Sequence, residues 1–146
     1  MPSALEWLAT LGAGLFAGAA LYVSLVEHPA RLSCGPAAAI HAFRPSYRRG
    51  AALQAPLSLL GAAAAIARWT LGGSAAWLLG GLALGALVPY TLLVILPTNK
   101  RLLDATLDAG SVEAQALLAR WGRLHAVRTV VSLAVVAGFV AVIARR

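Results

Sequence analysis

The densest group of reactive side chains in this 146-residue sequence follows the first long apolar run. Residues 8–26 carry no charged side chain, and Glu27 and His28 come directly after them, just before Pro29. A carboxylate and an imidazole can both accept or donate a proton, which suits general acid–base catalysis. Because ionisable side chains are costly next to lipid, their presence at the end of a membrane helix indicates a candidate site.

Further candidate residues lie at the ends of three other apolar runs. Amide, guanidinium and phenol groups can donate hydrogen bonds to an enolate or phenolate oxygen. Such a site at a bilayer boundary suits a flat, hydrophobic and weakly acidic small molecule. The candidate catalytic residues are Glu27, His28, His125, Arg128 and Asn99. The candidate substrate-binding residues are Tyr47, Arg48, Gln54, Tyr90, Thr91, Thr98 and Trp121.

Four apolar runs without a charged residue must position these side chains, namely residues 8–26, 50–67, 75–96 and 129–144. A helix rises 1.5 Å per residue, and the hydrocarbon core is ~30 Å thick, so each run is close to the length of one crossing. The sequence predicts one integral membrane domain over residues 1–146, an all-α bundle of four transmembrane helices. The predicted spans are about 5–27, 48–68, 75–97 and 125–144.

The connections between the runs are unequal. Residues 68–74 form a short turn, whereas the polar segments 27–49 and 98–128 both lie on the opposite side. All the candidate residues are therefore expected to meet at that end of the bundle. Within the last segment, helical spacing of two apolar sets predicts two short amphipathic helices between helices 3 and 4. The sets are Leu102, Leu103 and Leu107, then Leu117, Trp121 and Leu124.

Composition and charge restrict the partners. Hydrophobic residues make up 60% of the chain and charged residues 12%, against ~25% charged in soluble domains, so a lipid bilayer is expected around it. The net charge is +7, but nine of the twelve Lys and Arg residues lie in the two long polar segments. The positive-inside tendency explains them without nucleic acid. We expect a bacterial inner-membrane protein with its long loops cytoplasmic and both termini outside, and glycine seams permit a homodimer.

Two alternatives to cofactor-free acid–base chemistry were considered. Glu27, His28, His41 and His125 are the residue types of an iron or zinc site, but no pair has the HxxxH or CxxC spacing, so no metal site is predicted. The second alternative is a non-enzymatic scaffold, or a protein that only binds a lipid or small molecule. A polar cavity of ~300 Å³ or more would favour an enzyme. A solid bundle with Glu27 paired only to a loop arginine would favour the scaffold.

The chain also resembles a known family. The residues that carry the resemblance are Leu21-Tyr22-Val23-Ser24-Leu25-Val26-Glu27-His28-Pro29-Ala30-Arg31, Pro89-Tyr90-Thr91, Pro97-Thr98-Asn99, Trp121, His125 and Arg128. They are similar to those of the anthrone oxygenase-like family of small four-helix membrane proteins, many of them domains of unknown function in bacteria. The resemblance implies oxidation of an anthrone by molecular oxygen without an added cofactor. It also implies that Glu27, His28, Asn99, His125 and Arg128 form the site.

Overall fold

A computed structural model describes residues 1–145 of the chain, and these residues form four long helices. Helix α1 spans Ala4–Ser33, α2 spans Pro36–Thr70, α3 spans Ala75–Leu103 and α4 spans Val112–Ala144. Each is long and apolar enough to cross a membrane. Residues 1–145 contain no strand. The protein is therefore an all-α integral membrane protein, as its apolar runs predict.

The helices extend well beyond the predicted spans. With 35 residues, α2 is about 52 Å long at 1.5 Å per residue, against a hydrocarbon core of ~30 Å. Most of both long polar segments is helical, and only residues 34–35 and 104–111 connect the helices there. The prediction of two separate short helices between helices 3 and 4 is therefore not confirmed. Leu102 and Leu103 end α3, whereas Leu117, Trp121 and Leu124 lie in the first turns of α4.

Burial of a second hydrophobic cluster explains these additional turns. One hydrophobic cluster lies near the chain termini, and we name it the terminal cluster. It comprises Ala9, Ala13, Phe16, Ala20, Ala62, Ala64, Ala65, Trp77, Leu84, Leu87, Val135 and Phe139. The connection cluster lies near the long connections and comprises Ala39, Ile40, Phe43, Ile95, Leu102, Leu107, Ala114, Leu118 and Trp121. Each large buried side chain stabilises the fold by about 1.5–3 kcal/mol. Several of them together outweigh the ~3 kcal/mol that Pro45 costs inside α2.

Two wide helical turns occur at equivalent places in α1 and α3. The backbone N–H of His28 donates to the carbonyl of Val23, and that of Leu96 donates to the carbonyl of Thr91, each five residues earlier. A proline follows directly in both helices, as Pro29 and Pro97. Since a proline ring clashes with the carbonyl four residues earlier, a wider turn accommodates it. Both turns lie where the predicted site residues begin.

A buried ion pair closes the terminal end of the bundle. Glu6 is fully buried, and its carboxylate accepts hydrogen bonds from the backbone N–H of Ser3 (2.9 Å) and from Nε of Arg68 (2.7 Å). Ser3 caps the start of α1 in return. This contact ties the beginning of α1 to the end of α2, so the polar groups here are structural.

Candidate functional site

A cavity of about 210 Å³ lies between the two hydrophobic clusters, and all four helices line it. Phe16 and Leu87 of the terminal cluster form part of its wall, and Phe43, Ile95 and Trp121 of the connection cluster form another part. The volume is below the ~300 Å³ that would favour an enzyme, which is also the lower limit of the usual range for ligand pockets. A ligand that fills it must therefore be small or extend beyond it.

His125 is the most deeply buried ionisable residue of the cavity wall, with 3% of its surface exposed. Its Nδ1 lies 3.1 Å from Oγ of Ser24 on α1. That hydroxyl lies 2.8 Å from Oγ1 of Thr129, one turn beyond His125 on α4. Thr129 in turn donates to the backbone carbonyl of Ala20 at 3.2 Å. A chain of polar contacts therefore joins His125 to α1.

Trp121 is the centre of an aromatic group beside the cavity. The His125 ring is stacked on it at 4.7 Å, and the His28 ring lies at 5.0 Å with a 55° tilt. Phe43 meets it edge-on at 5.2 Å. The Arg31 guanidinium lies 5.9 Å from the Trp121 ring and 5.8 Å from the Phe43 ring, within cation–π range. These contacts hold both imidazoles and one guanidinium in fixed positions.

Several polar groups of the cavity wall keep hydrogen-bonding capacity unused. Asn99 is 1% exposed, and neither its Oδ1 nor its Nδ2 has a partner among residues 1–145. Nη2 of Arg128 donates to Oε1 of Gln54 at 2.8 Å, but its Nε has no partner in the described chain. Arg31 pairs with Glu27 at 2.9 Å and likewise leaves Nε and Nη1 unpaired within residues 1–145. Because a buried polar group without a partner costs about 1–3 kcal/mol, such a cluster is unusual away from a ligand site.

The structure brings most of the predicted site residues to the cavity. Those that line it are Glu27, Tyr47, Gln54, Thr91, Asn99, Trp121, His125 and Arg128. His28 does not line it but contacts Trp121, and Thr98 is buried elsewhere. The Tyr90 hydroxyl donates to the carbonyl of Leu124, and Arg48 is exposed, so neither reaches the cavity.

Sequence reasoning missed three polar residues of this region. Arg31 was counted only as a loop charge, yet it is 9% exposed and lines the cavity. Its spacing of four residues from Glu27 was the available signal, since side chains four apart on a helix meet. Ser24 entered the prediction only as part of the stretch that carries the family resemblance, and Thr129 did not enter it at all. Their contact joins two helices and has no signal in the sequence.

The ligand set that a metal site would need is not assembled. Within residues 1–145, no three His, Cys, Asp or Glu side chains come together in a group that could hold an ion. His41, one of the four residues considered, is exposed on α2. The residues present therefore fit acid–base and hydrogen-bonding roles better than metal ligation.

A second, more open cavity of about 380 Å³ lies between α1 and α2. Exposed Tyr22 and Leu53 form part of its outer wall. Five residues line both cavities, namely Val23, Glu27, Ser46, Gly50 and Gln54. The two cavities are therefore adjacent.

Fold and site together define a four-helix membrane protein with a small pocket, apolar in its walls and polar at a few points, at one end of the bundle. The family model described as anthrone oxygenase matches residues 43–138, which is more than half of the chain. The chain belongs to this family. The matched part includes Asn99, His125 and Arg128, whereas Ser24, Glu27 and Arg31 precede it. No curated protein and no solved structure matches the chain.

Proposed function

We propose that this protein catalyses the oxidation of an anthrone-like substrate by molecular oxygen, with no added cofactor. The observation that carries the proposal is the cavity whose lining includes His125, Asn99 and Arg128. Aromatic and aliphatic side chains form most of the remaining wall, which suits a flat hydrophobic molecule. Family membership supports the oxygenase class.

His125 is the best candidate for the general base. Glu27 is engaged in an ion pair with Arg31, and His28 is on the α1 side of Trp121, outside the cavity lining. His125 lines the cavity and has one ring nitrogen, Nε2, without a hydrogen bond to residues 1–145. It would remove one proton from the methylene carbon of the anthrone.

Asn99 and Arg128 would stabilise the anion that forms. Removal of the proton delocalises charge onto the anthrone oxygen, and hydrogen-bond donors aimed at such an oxygen lower the barrier. The amide Nδ2 of Asn99 and Nε of Arg128 are both without a partner in the described chain. Arg31 offers a third donor on the same cavity.

The electron-rich anion then reacts with oxygen directly. A C–O bond forms at the former methylene carbon, and the distal oxygen takes the proton back from His125, which gives a hydroperoxide. Loss of the second hydrogen of that carbon, together with cleavage of the O–O bond, releases water and leaves a carbonyl. The sum is anthrone plus O₂ to anthraquinone plus water, so four electrons leave the substrate and reduce one O₂.

The substrate would reach this site from the lipid. A flat hydrophobic molecule partitions into the bilayer, and the cavity between α1 and α2 lies next to the site with five residues in common. Gly50 is one of them, and a Cβ there would have no neighbour closer than 4.0 Å, so the space beside it is open.

Oxygen consumption by the purified full-length protein in nanodiscs, with a hydroxylated anthrone, tests the proposal. Anthrones oxidise slowly without enzyme, so the rate above the protein-free rate is the measured quantity. Replacing a general base typically costs about 10²–10⁴-fold, and we expect H125A to lose at least 10²-fold. H41A, which removes an exposed histidine of α2, should leave the rate unchanged.

Equal turnover by H125A and the unchanged protein would refute the assignment of the base. Binding of the anthrone without any turnover would instead support the alternative, a non-enzymatic protein that binds small molecules. Two observations favour this alternative. The Glu27–Arg31 ion pair engages a predicted catalytic carboxylate, and the cavity of about 210 Å³ is below the ~300 Å³ that would favour an enzyme.

The proposal includes an orientation in a bacterial inner membrane, with the long connections in the cytoplasm and both termini outside. The excess of basic residues at that end supports it. Cys34 is the only cysteine of the chain, is exposed, and lies in the connection between α1 and α2. A membrane-impermeant maleimide should therefore label it in inverted vesicles but not in intact cells, with C34S as the control. Labelling in intact cells would instead indicate the opposite orientation.

A further inference from the structure

The polar contacts that run from His125 to α1 determine where its ring proton lies. Thr129 has a single hydroxyl hydrogen, and Oγ1 lies 3.2 Å from the backbone carbonyl of Ala20 and 3.5 Å from that of His125. A carbonyl can only accept a hydrogen bond. If the hydrogen of Thr129 points at one of these carbonyls, its oxygen is free to accept a hydrogen bond.

Ser24 must then be the donor in its contact with Thr129. The two hydroxyl oxygens are 2.8 Å apart, so one of them donates to the other. If Thr129 donates to the backbone, the single hydrogen of Ser24 points at Thr129. The oxygen of Ser24 accepts from the third member, Nδ1 of His125 at 3.1 Å. His125 then carries its proton on Nδ1.

The reverse direction makes one hydrogen bond fewer. If Thr129 donated to Ser24 and Ser24 donated to Nδ1, the contact with the Ala20 carbonyl would be lost. The proton of His125 would then be on Nε2, for which no acceptor exists among residues 1–145. The lost hydrogen bond to the Ala20 carbonyl favours the first direction.

We propose that Ser24 and Thr129 are positioning residues that hold His125 as the Nδ1–H tautomer, with the lone pair of Nε2 available to a ligand in the cavity. The role as base rests on the proposed function, whereas the tautomer itself does not. The wide turn Val23–Glu27 contributes by carrying Ser24 on α1 where it meets α4. A base that is neutral and already in the correct tautomer needs no rearrangement before it takes a proton.

Nitrogen-15 NMR of histidine-labelled full-length protein in nanodiscs, without substrate, tests the tautomer. H125Q identifies the His125 signals among the three histidines by their loss. We expect a protonated-type shift for Nδ1 and an unprotonated-type shift for Nε2. T129V keeps the shape of the side chain and removes the hydroxyl, so Ser24 can donate to Nδ1, and the tautomer should move toward Nε2–H. T129S should restore the original shifts.

S132A is the matched control, because Ser132 is also a buried hydroxyl on α4, one turn beyond Thr129, and donates only to the backbone carbonyl of Thr129. It should leave the tautomer unchanged. In turnover assays, we expect T129V and S24A to lower kcat about tenfold with little change in KM.

An Nε2–H tautomer in the unchanged protein, or identical shifts in T129V, would overturn the proposal. If the tautomer is as proposed but no anthrone is turned over, the proposed function fails while the positioning contact stands.

Discussion

The two ends of this bundle both bury polar side chains, but they use them differently. At the terminal end, Glu6 and Arg68 form an ion pair, and the capping bond from Ser3 uses the other carboxylate oxygen. At the connection end, Asn99, Arg31 and Arg128 each retain at least one buried nitrogen without a partner in residues 1–145. Trp77 is the exception at the terminal end, since its Nε1 is also unpaired there.

The comparison distinguishes buried polar side chains that stabilise the fold from buried polar side chains that can bind a ligand. A polar group whose hydrogen bonds are all made within the protein holds helices together and offers no free donor or acceptor to a ligand. An unsatisfied group next to a cavity costs stability in the free protein and gains a partner when a ligand arrives. The cavity lies between the terminal and connection clusters, and most of the unpaired buried atoms of residues 1–145 are on its connection side. This contrast predicts opposite effects of mutation at the two ends.

The largest effect on stability is expected at the terminal end. E6Q breaks the ion pair and leaves the Arg68 guanidinium without its carboxylate. We expect the free energy of unfolding to fall by about 3 kcal/mol, the low end for a buried pair that loses one partner, because Arg68 is partly exposed. Unfolding in mixed micelles measures it. Anthrone binding by the folded fraction should be unchanged.

The opposite result, a loss of binding or turnover without a loss of stability, is expected for Asn99, which is buried to a similar extent as Glu6. N99L replaces an unsatisfied amide with an apolar group of similar size, so the free energy of unfolding should stay equal or rise by up to ~1 kcal/mol. Ligand binding or turnover should fall at least tenfold, since an oxyanion donor is lost. A large loss of stability in N99L would mean that Asn99 is structural, and the contrast between the ends would not hold.

Much of this contrast could be predicted from the sequence, because four apolar runs with one short turn place the ends of the helices on two sides. The sequence therefore predicted that His125, Asn99 and Gln54 meet. It did not predict that residues 36–47 are helical, since Pro45 and the basic residues around it are typical of a loop. Tertiary burial of Phe43 against Trp121 overrides that local signal. Nor could spacing predict the contact of Ser24 with Thr129, because it depends on how α1 and α4 are rotated against each other.

Two glycines, Gly80 at the terminal end and Gly122 at the connection end, test the comparison between the two ends through smaller expected changes in stability. A Cβ on Gly80 would overlap the ring of Phe139, which is buried and stacked on Trp77 at 4.6 Å. We expect G80A to lower the free energy of unfolding by about 1–3 kcal/mol through overpacking. A Cβ on Gly122 would lie 2.7 Å from Nε2 of His28, a side chain that borders Trp121.

G122A should therefore move the imidazole of His28 with a stability loss below ~1 kcal/mol, because the tip of a side chain can shift more easily than a stacked core ring. The His28 resonances in the ¹⁵N spectrum should change, while those of exposed His41 should not. Equal stability losses for G80A and G122A would indicate that the connection end is as tightly packed as the terminal end.

The smallest expected effect is on the rate of ligand binding and concerns Gly50 of α2, which lines both cavities. A Cβ there would have no neighbour closer than 4.0 Å, the amide of Gln54, so G50L fits the fold and places its side chain between the cavities. G138L on α4 is the matched control, because Gly138 is exposed and its Cβ would meet nothing within 4 Å. Both changes remove a helix glycine and should raise stability equally, by about 0.8 kcal/mol.

If the ligand arrives from the lipid between α1 and α2, stopped-flow binding should be severalfold slower in G50L alone, with the spectrum of bound ligand unchanged. Equal association rates in the two variants would mean that the ligand reaches the cavity by another path. That path would not be the terminal end of the bundle, which Glu6 and Arg68 close.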